Sequence, residues 1–286
     1  FSQRARRGIA VVPPMDANSQ DTSVLIGTED ISKLDLYPED DPRILSLNGA
    51  FNVGNRGIVE FVEIFKNEIE FLHIILTATQ EKRIPSPGKN AMIHFDGVIL
   101  SHCNEAEWNR FKSEHTNEAI LDRILKIEVP YVLELDQEIK IYEKMINRSD
   151  FKNIHIAPHT LKIASMFAIM SRMKESQKCD ILTKLKIYNG DDVIEKGRVK
   201  KIDINDLKEE AYREGMSGIS TRFIMKSIDS AISDSDTNYI TPMSIMDSLI
   251  TQVKEQIISE DDKTRYLEII QKIIRDEFDN FDPVTS

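Results

Sequence analysis

The sequence predicts an α/β fold followed by an all-α part, and three observations carry that expectation. A β-branched and aromatic run, Ile58-Val59-Glu60-Phe61-Val62, precedes Ile69, Leu72, His73 and Leu76 at three- and four-residue spacing. A strand feeding a helix is the repeating unit of a parallel sheet. A second apolar run, Val98-Ile99-Leu100, ends abruptly in the polar string Ser101-His102-Cys103-Asn104-Glu105. Beyond Leu133 the texture changes, and apolar residues recur only at helical intervals.

Taken in order, residues 1 to about 43 are rich in Pro, Asp and Ser and read as loop, with one short strand near Val24 to Ile26. The strand and helix at 58–76 follow. Lys82 to Phe95 holds Pro85, Pro87 and Gly88, which suits a hairpin or protruding loop ahead of the strand at Val98. A strand-sized run, Ile124 to Val132, closes the α/β part. Leu135, Ile139, Tyr142 and Ile146 then mark one helix, and Leu161, Ala164, Phe167, Ala168 and Met170 another. Residues 180–214 are more charged and less periodic and read as an insertion. Thr241-Pro242 supplies an N-cap with Pro at the first helical position. Ser259 caps a last helix with a stripe through Tyr266, Ile269, Ile270, Ile273, Ile274 and Phe278. The expected domains are 1–150 and 151–286.

Bulk properties narrow the function. A net charge of −11 over 286 residues opposes a broad phosphate-backbone footprint, which needs clustered Lys and Arg, so nucleic acid is not the expected partner. A few placed arginines can still grip one nucleotide. Cys103 and Cys179 lie far apart and in no paired metal pattern, which suits a reducing cytoplasm. No membrane span or signal peptide is read, and Phe1 to Arg7 look like the interior of a longer polypeptide.

In open α/β sheets ligands sit beyond the carboxyl ends of the strands. Glu63 and Asn104 both follow apolar strand runs there. A carboxylate at such a place can activate water or help hold a metal, and an amide can orient water against a phosphate without adding charge. Either residue is also an ordinary polar turn former. A third signal is Gly218-Ile219-Ser220-Thr221-Arg222, where Ser220 is the expected N-cap. That puts Arg222 in the first turn, where the helix dipole disfavours a cation by about 0.3–1 kcal/mol. Phosphate contact would offset the conflict; an exposed surface arginine is the plain alternative.

In order and spacing these three signals resemble the Walker B, sensor 1 and sensor 2 elements of an AAA+ ATPase. Over nearly its whole length the chain resembles the PrkA serine protein kinases of bacteria. The resemblance implies the C-terminal half of an AAA+ nucleotide-binding core plus a helical lid domain, without the Walker A loop. It implies ATP and Mg²⁺ as cofactors of the intact protein, with Glu63 as catalytic carboxylate, Asn104 as sensor 1 and Arg222 as the nucleotide-contacting sensor 2. Asn117 to Arg123 resembles the helix that ends in an arginine finger, with an ion pair from Arg123 to Asp122 or Glu118 as the alternative. A finger implies a homo-oligomeric ring. Where the family usually has Asp-Glu this chain has Val62-Glu63, so the magnesium-supporting Asp is absent; Glu60 is a second carboxylate on the face of Val62. The resemblance further implies a protein substrate, touched by the loop Lys82 to Phe95 unless that loop is merely solvated. It also implies inactivity for this piece alone, and a kinase-like region beyond residue 286. A non-hydrolysing AAA+-shaped interaction or regulatory scaffold is the alternative that Val62 favours.

Three other signals are set aside. Gly88-Lys89-Asn90 lacks the upstream glycine and the Ser or Thr of a phosphate loop. Phe95-Asp96-Gly97 permutes the Asp-Phe-Gly of protein kinases. His155 and His159 are four apart, but Pro158 lies between them, so they mark a helix start rather than a metal pair.

Overall fold

Three parallel strands form the frame of the first half in a computed structural model that describes residues 1–14, 21–38, 41–67, 69–87, 91–149, 151, 153–195, 198, 199, 202–233 and 239–280. The chain divides into two compact units, Phe1–Lys126 and Ile127–Ser286. In the first, β1 (Ile9–Val12) is followed by two short helices, α1 (Ser23–Ile26) and α2 (Ala50–Val53). Next come β2 (Ile58–Val62), α3 (Ile69–Gln80), the strands β3 (Arg83–Pro85) and β4 (Met92–His94), and then β5 (Val98–His102), α4 (Glu105–Ser113) and α5 (Glu118–Leu121). The sheet order is β1-β2-β5, all parallel. Alternation along β2 puts Val59 and Phe61 into the core with Ala10, Val12, Phe51 and Phe95, while Ile58, Glu60 and Val62 take the other face.

Asn55 sets the start of this frame. Its Oδ1 accepts from Asp96 N at 2.9 Å and its Nδ2 donates to His94 O at 3.2 Å, which ties the turn before β2 to the turn before β5. Gly57 is required at the same turn, because a Cβ there would lie 1.9 Å from Gly8 O.

Several expectations are corrected here. Val24 to Ile26 is helical, with Asp21 Oδ1 accepting from Ser23 N at 2.9 Å. The strands of this region are instead Ile9–Val12, an apolar run bounded by Gly8 and Pro13, and the two-residue Thr28–Glu29, paired with Leu45–Ser46. Lys82 to Phe95 does hold a hairpin, β3 with β4, whereas Gly88-Lys89-Asn90 lies outside the described residues. The run Ile124 to Val132 is not a strand. Its residues have strand propensity, but a ladder needs a neighbour, and Leu125, Ile127 and Val129 stand exposed along it.

The second unit is helical: α6 (Leu135–Ile146), α7 (Thr160–Arg172), α8 (Ile181–Asn189), α9 (Ile204–Glu210), α10 (Thr221–Ser233), α11 (Pro242–Gln256) and α12 (Glu260–Asn280). Nearly every residue of α7 is buried, as a central helix requires, and α6, α8, α10, α11 and α12 all pack on it. Because Leu135, Tyr142 and Ile146 of α6 join that core, α6 belongs to the second unit, ahead of the expected boundary at 150. Residues 180–214, read as an insertion with no element assigned, hold α8 and α9. Their charge hides the pattern, since Lys184 on the buried face of α8 meets Glu214 at 2.5 Å with both side chains enclosed. The expected caps are present: Thr241 forms a capping box with Ser244, and Ser259 Oγ accepts from Asp262 N at 3.3 Å. His155 pairs with Tyr239 in a two-residue ladder and His159 immediately precedes α7.

Candidate functional site

Because Val62 stands opposite His102 in the parallel ladder, Glu63 and Asn104 lie just past the same ends of adjacent strands. Neighbouring strands are about 4.8 Å apart. Glu63 takes a left-handed conformation, φ 50° and ψ 53°, uncommon for a residue other than glycine. It turns the chain into the 3₁₀ turn Ile64–Lys66, which returns Lys66 Nζ to 2.6 Å from Glu63 Oε2. Lys66 also lies 3.8 Å from Glu107 Oε1, in the first turn of α4. Phe65 stacks on Phe111 with ring centres 4.1 Å apart and leans on Trp108, which docks the turn on α4.

Asn104 is the N-cap of α4: its Oδ1 accepts from Glu107 N at 2.8 Å. With the oxygen occupied, what the side chain can present to a phosphate oxygen is the amide nitrogen, a donor. The chain Glu63, Lys66, Glu107, Asn104 thus binds a carboxylate and an amide into one cluster at the strand ends. The hydrogen bond to Glu63 holds the Lys66 ammonium above its ordinary pKa, with Glu107 adding to it. Burial pushes the neighbouring Cys103 thiol up, and Glu107 pushes it further.

Within the first unit, Glu60 and Arg123 have other partners. Glu60 shares a face with Val62 and approaches His102 at 3.6 Å. Arg123 follows α5, donating to the Ala119 carbonyl and, at 2.9 Å, to Gln80 Oε1; neither partner is the carboxylate considered as the plain alternative. Arg222 is in the second unit, exposed on the first turn of α10, and Ser220 Oγ accepts from Phe223 N at 3.3 Å as the cap.

Sequence reasoning missed Lys66 and Glu107. Both had a signal: Lys66 follows Glu63 by three residues, and Glu107 follows Asn104 by the capping-box interval. Among the described residues no group of three or more His, Cys, Asp or Glu side chains is placed to hold a metal ion. Glu63 beside apolar Val62 offers one carboxylate, which fits magnesium only where phosphate and water supply the other ligands. The amide and the ammonium are groups that suit a phosphate ester, with the Glu63 and Glu107 carboxylates beside them.

A family model for the PrkA AAA domain matches residues 1–180, and one for the PrkA serine protein kinase C-terminal domain matches 182–282. The first half therefore carries an AAA-type fold. The chain belongs to the PrkA family. It is 39% identical over 284 residues to "ATP-dependent protease PrkA" of Bacillus subtilis (strain 168), covering 98% of this chain and 44% of the relative. It is 38% identical over 270 residues to "Serine/threonine kinase YeaG" of Escherichia coli (strain K12), covering 92% and 41%. The chain thus spans less than half the length of these curated relatives. Among solved structures, NtrX from Brucella abortus matches with a TM-score of 0.42 at 14% identity, covering 94% of this chain and 58% of that one. Further structures of that protein contain ADP and ATP. A putative ATPase from Cytophaga hutchinsonii matches with a TM-score of 0.33 at 14% identity, covering 93% and 76%. The second family match corrects one expectation: the region that carries the kinase name includes residues 182–282 rather than lying wholly past 286, and Arg222 falls within it. Among the described residues no helix is long and apolar enough to cross a membrane.

Proposed function

We propose that this chain supplies the hydrolytic side of an ATP site in a PrkA-type AAA+ ATPase that acts on a protein substrate in the cytoplasm. The observation that carries the reading is the placement of Glu63 and Asn104 at the same ends of adjacent parallel strands, joined through Lys66 and Glu107. In this reading Glu63 takes a proton from the attacking water, the Asn104 amide donates to the γ-phosphate, and Arg222 neutralises phosphate charge. Lys66 holds the Glu63 carboxylate in place through their 2.6 Å contact. Bound magnesium would supply charge neutralisation at the phosphates, with Glu63 as the carboxylate that would help hold it. Arg123 acts on a neighbouring subunit's nucleotide in a ring, and trans arginines are worth roughly 10³–10⁵ in rate in other NTPases. The β3–β4 hairpin is the element offered to the protein substrate.

ATP turnover by the full-length polypeptide tests the reading. Glu63→Gln is expected to lower turnover about 10²-fold or more, as loss of a general base does. Asn104→Asp keeps the cap of α4 but replaces the donor by an anion, so turnover should fall about 10²-fold at unchanged melting temperature. Unchanged turnover in both variants sinks the site. The 286-residue chain by itself is expected to turn over no ATP.

A second reading, an AAA+-shaped scaffold that does not hydrolyse ATP, is favoured by Val62, which puts an aliphatic side chain where the family has an acid. Wild-type full-length protein that binds ATP without turnover would select it. Phosphotransfer to a protein by the 286-residue chain would instead point to a kinase activity seated within residues 182–282.

A further inference from the structure

The last turn of α7 holds an arginine that the proposed reaction does not use. Arg172 is wholly enclosed, and every nitrogen of its guanidinium is occupied. Nε donates to Ile219 O at 2.9 Å, Nη1 to Val132 O at 3.0 Å and Nη2 to Glu138 Oε1 at 2.7 Å. Tyr142 OH donates to the same Glu138 oxygen at 2.6 Å, and the Tyr131 ring lies 4.7 Å from the guanidinium carbon. Taking a cation out of water costs several kcal/mol unless such a set surrounds it.

The Nη1 and Nη2 contacts reach α6 and the segment before it, and the Nε contact reaches the loop that leads into α10. Ile219 N donates to Ser171 Oγ at 2.9 Å, so both backbone groups of Ile219 are held by the last two side chains of α7. Gly215 N donates to Arg172 O at 3.2 Å. Between them Gly218 has φ +115°, and a Cβ there would lie 2.7 Å from Ser171 O and 2.8 Å from Arg172 Cα. The backbone is pressed against α7 with no room for a side chain. A helix start needs only its cap, and Ser220 already provides one. The extra clamp fixes the direction in which α10 sets out, and Arg222 is the second residue of that helix.

We propose that Arg172, with Ser171 and Glu138, is a positioning residue for Arg222: it locks Ile219 to the end of α7 and so sets where the Arg222 guanidinium meets a nucleotide phosphate. The inference rests on the phosphate contact of Arg222 given above. A misplacement of about 1 Å at a reacting group can cost about 10²-fold.

The test is a double-mutant cycle in the full-length protein, reading the affinity of a fluorescent methylanthraniloyl-ATP and the unfolding midpoint of each variant. Ser171→Ala removes the bond from Ile219 N, together with the local one that Ser171 Oγ donates to Ala168 O, and leaves Arg172 in place; Arg172→Lys removes the fork. Each is expected to weaken analogue binding about tenfold with Arg222 present and less than about twofold in the Arg222→Ala background, the signature of coupled residues. Should Arg172→Lys fail to fold, Ser171→Ala carries the test. Equal losses in both backgrounds, or no loss from Ser171→Ala in either, overturn the positioning role. If Arg222→Ala alone leaves affinity unchanged, the phosphate contact is what fails, and the positioning role falls with it.

Discussion

At the residue scale the side chains of the cluster divide their labour by atom. The oxygen of Asn104 caps a helix, while its amide nitrogen is a hydrogen-bond donor. Cys103, beside it, gives a check of the local field: burial first, and Glu107 second, raise its thiol above the ordinary value. A raised pKa favours the protonated form, so iodoacetamide labelling of the Cys103 peptide should have its inflection at higher pH in the folded chain than in urea. Mass spectrometry separates it from Cys179, and an inflection at or below the urea value would contradict the geometry. Glu63 and Asn104 were legible because each ends an apolar run with a polar residue. Lys66 and Glu107 were not read, because their meaning depends on the left-handed turn at Glu63, and no residue type there announces one.

At the element scale, α8 shows how local chemistry builds a helix that periodicity obscures. Asp180 caps it, its Oδ2 accepting from Leu182 N at 3.2 Å and Thr183 N at 3.4 Å. Burial alone would raise the Asp180 pKa, but the bonds from Thr183 and Leu182 outweigh it and leave it lowered. A carboxyl with a depressed folded pKa stabilises fully above its unfolded value and loses that contribution as pH falls through the folded one. Asp180→Ala should therefore cost about 1 kcal/mol at neutral pH, and the difference from wild type should vanish in acid. Equal destabilisation at both ends of the pH range would rule the cap out. The helices after Leu133 were legible from spacing, whereas α8 and α9 were not, because Lys184 sits where an apolar residue is expected and is satisfied through the Lys174 carbonyl and Glu214, the latter thirty positions on. The run 124–132 failed the other way: its residues favour a strand, but propensity does not supply a partner.

For the whole molecule, each unit encloses its own core, one around Phe51, Phe61 and Phe95 and the other around Phe167, Ile169 and Leu249. Residues 127–286 expressed alone should therefore fold cooperatively, with helical circular dichroism and a single unfolding transition; a gradual, non-cooperative melt would contradict that containment. The division after Lys126 escaped the sequence because helical texture begins only at Leu135, while the unit that uses those helices starts earlier. The outer rim of β5 has a further consequence. Val98 and Leu100 are about half exposed on the strand at the end of the described sheet order, so greasy side chains meet solvent along it. Such a rail is adhesive toward any extended polypeptide. Turbidity on concentrating the 286-residue chain would then reflect strands zipping edge to edge rather than cores coming apart.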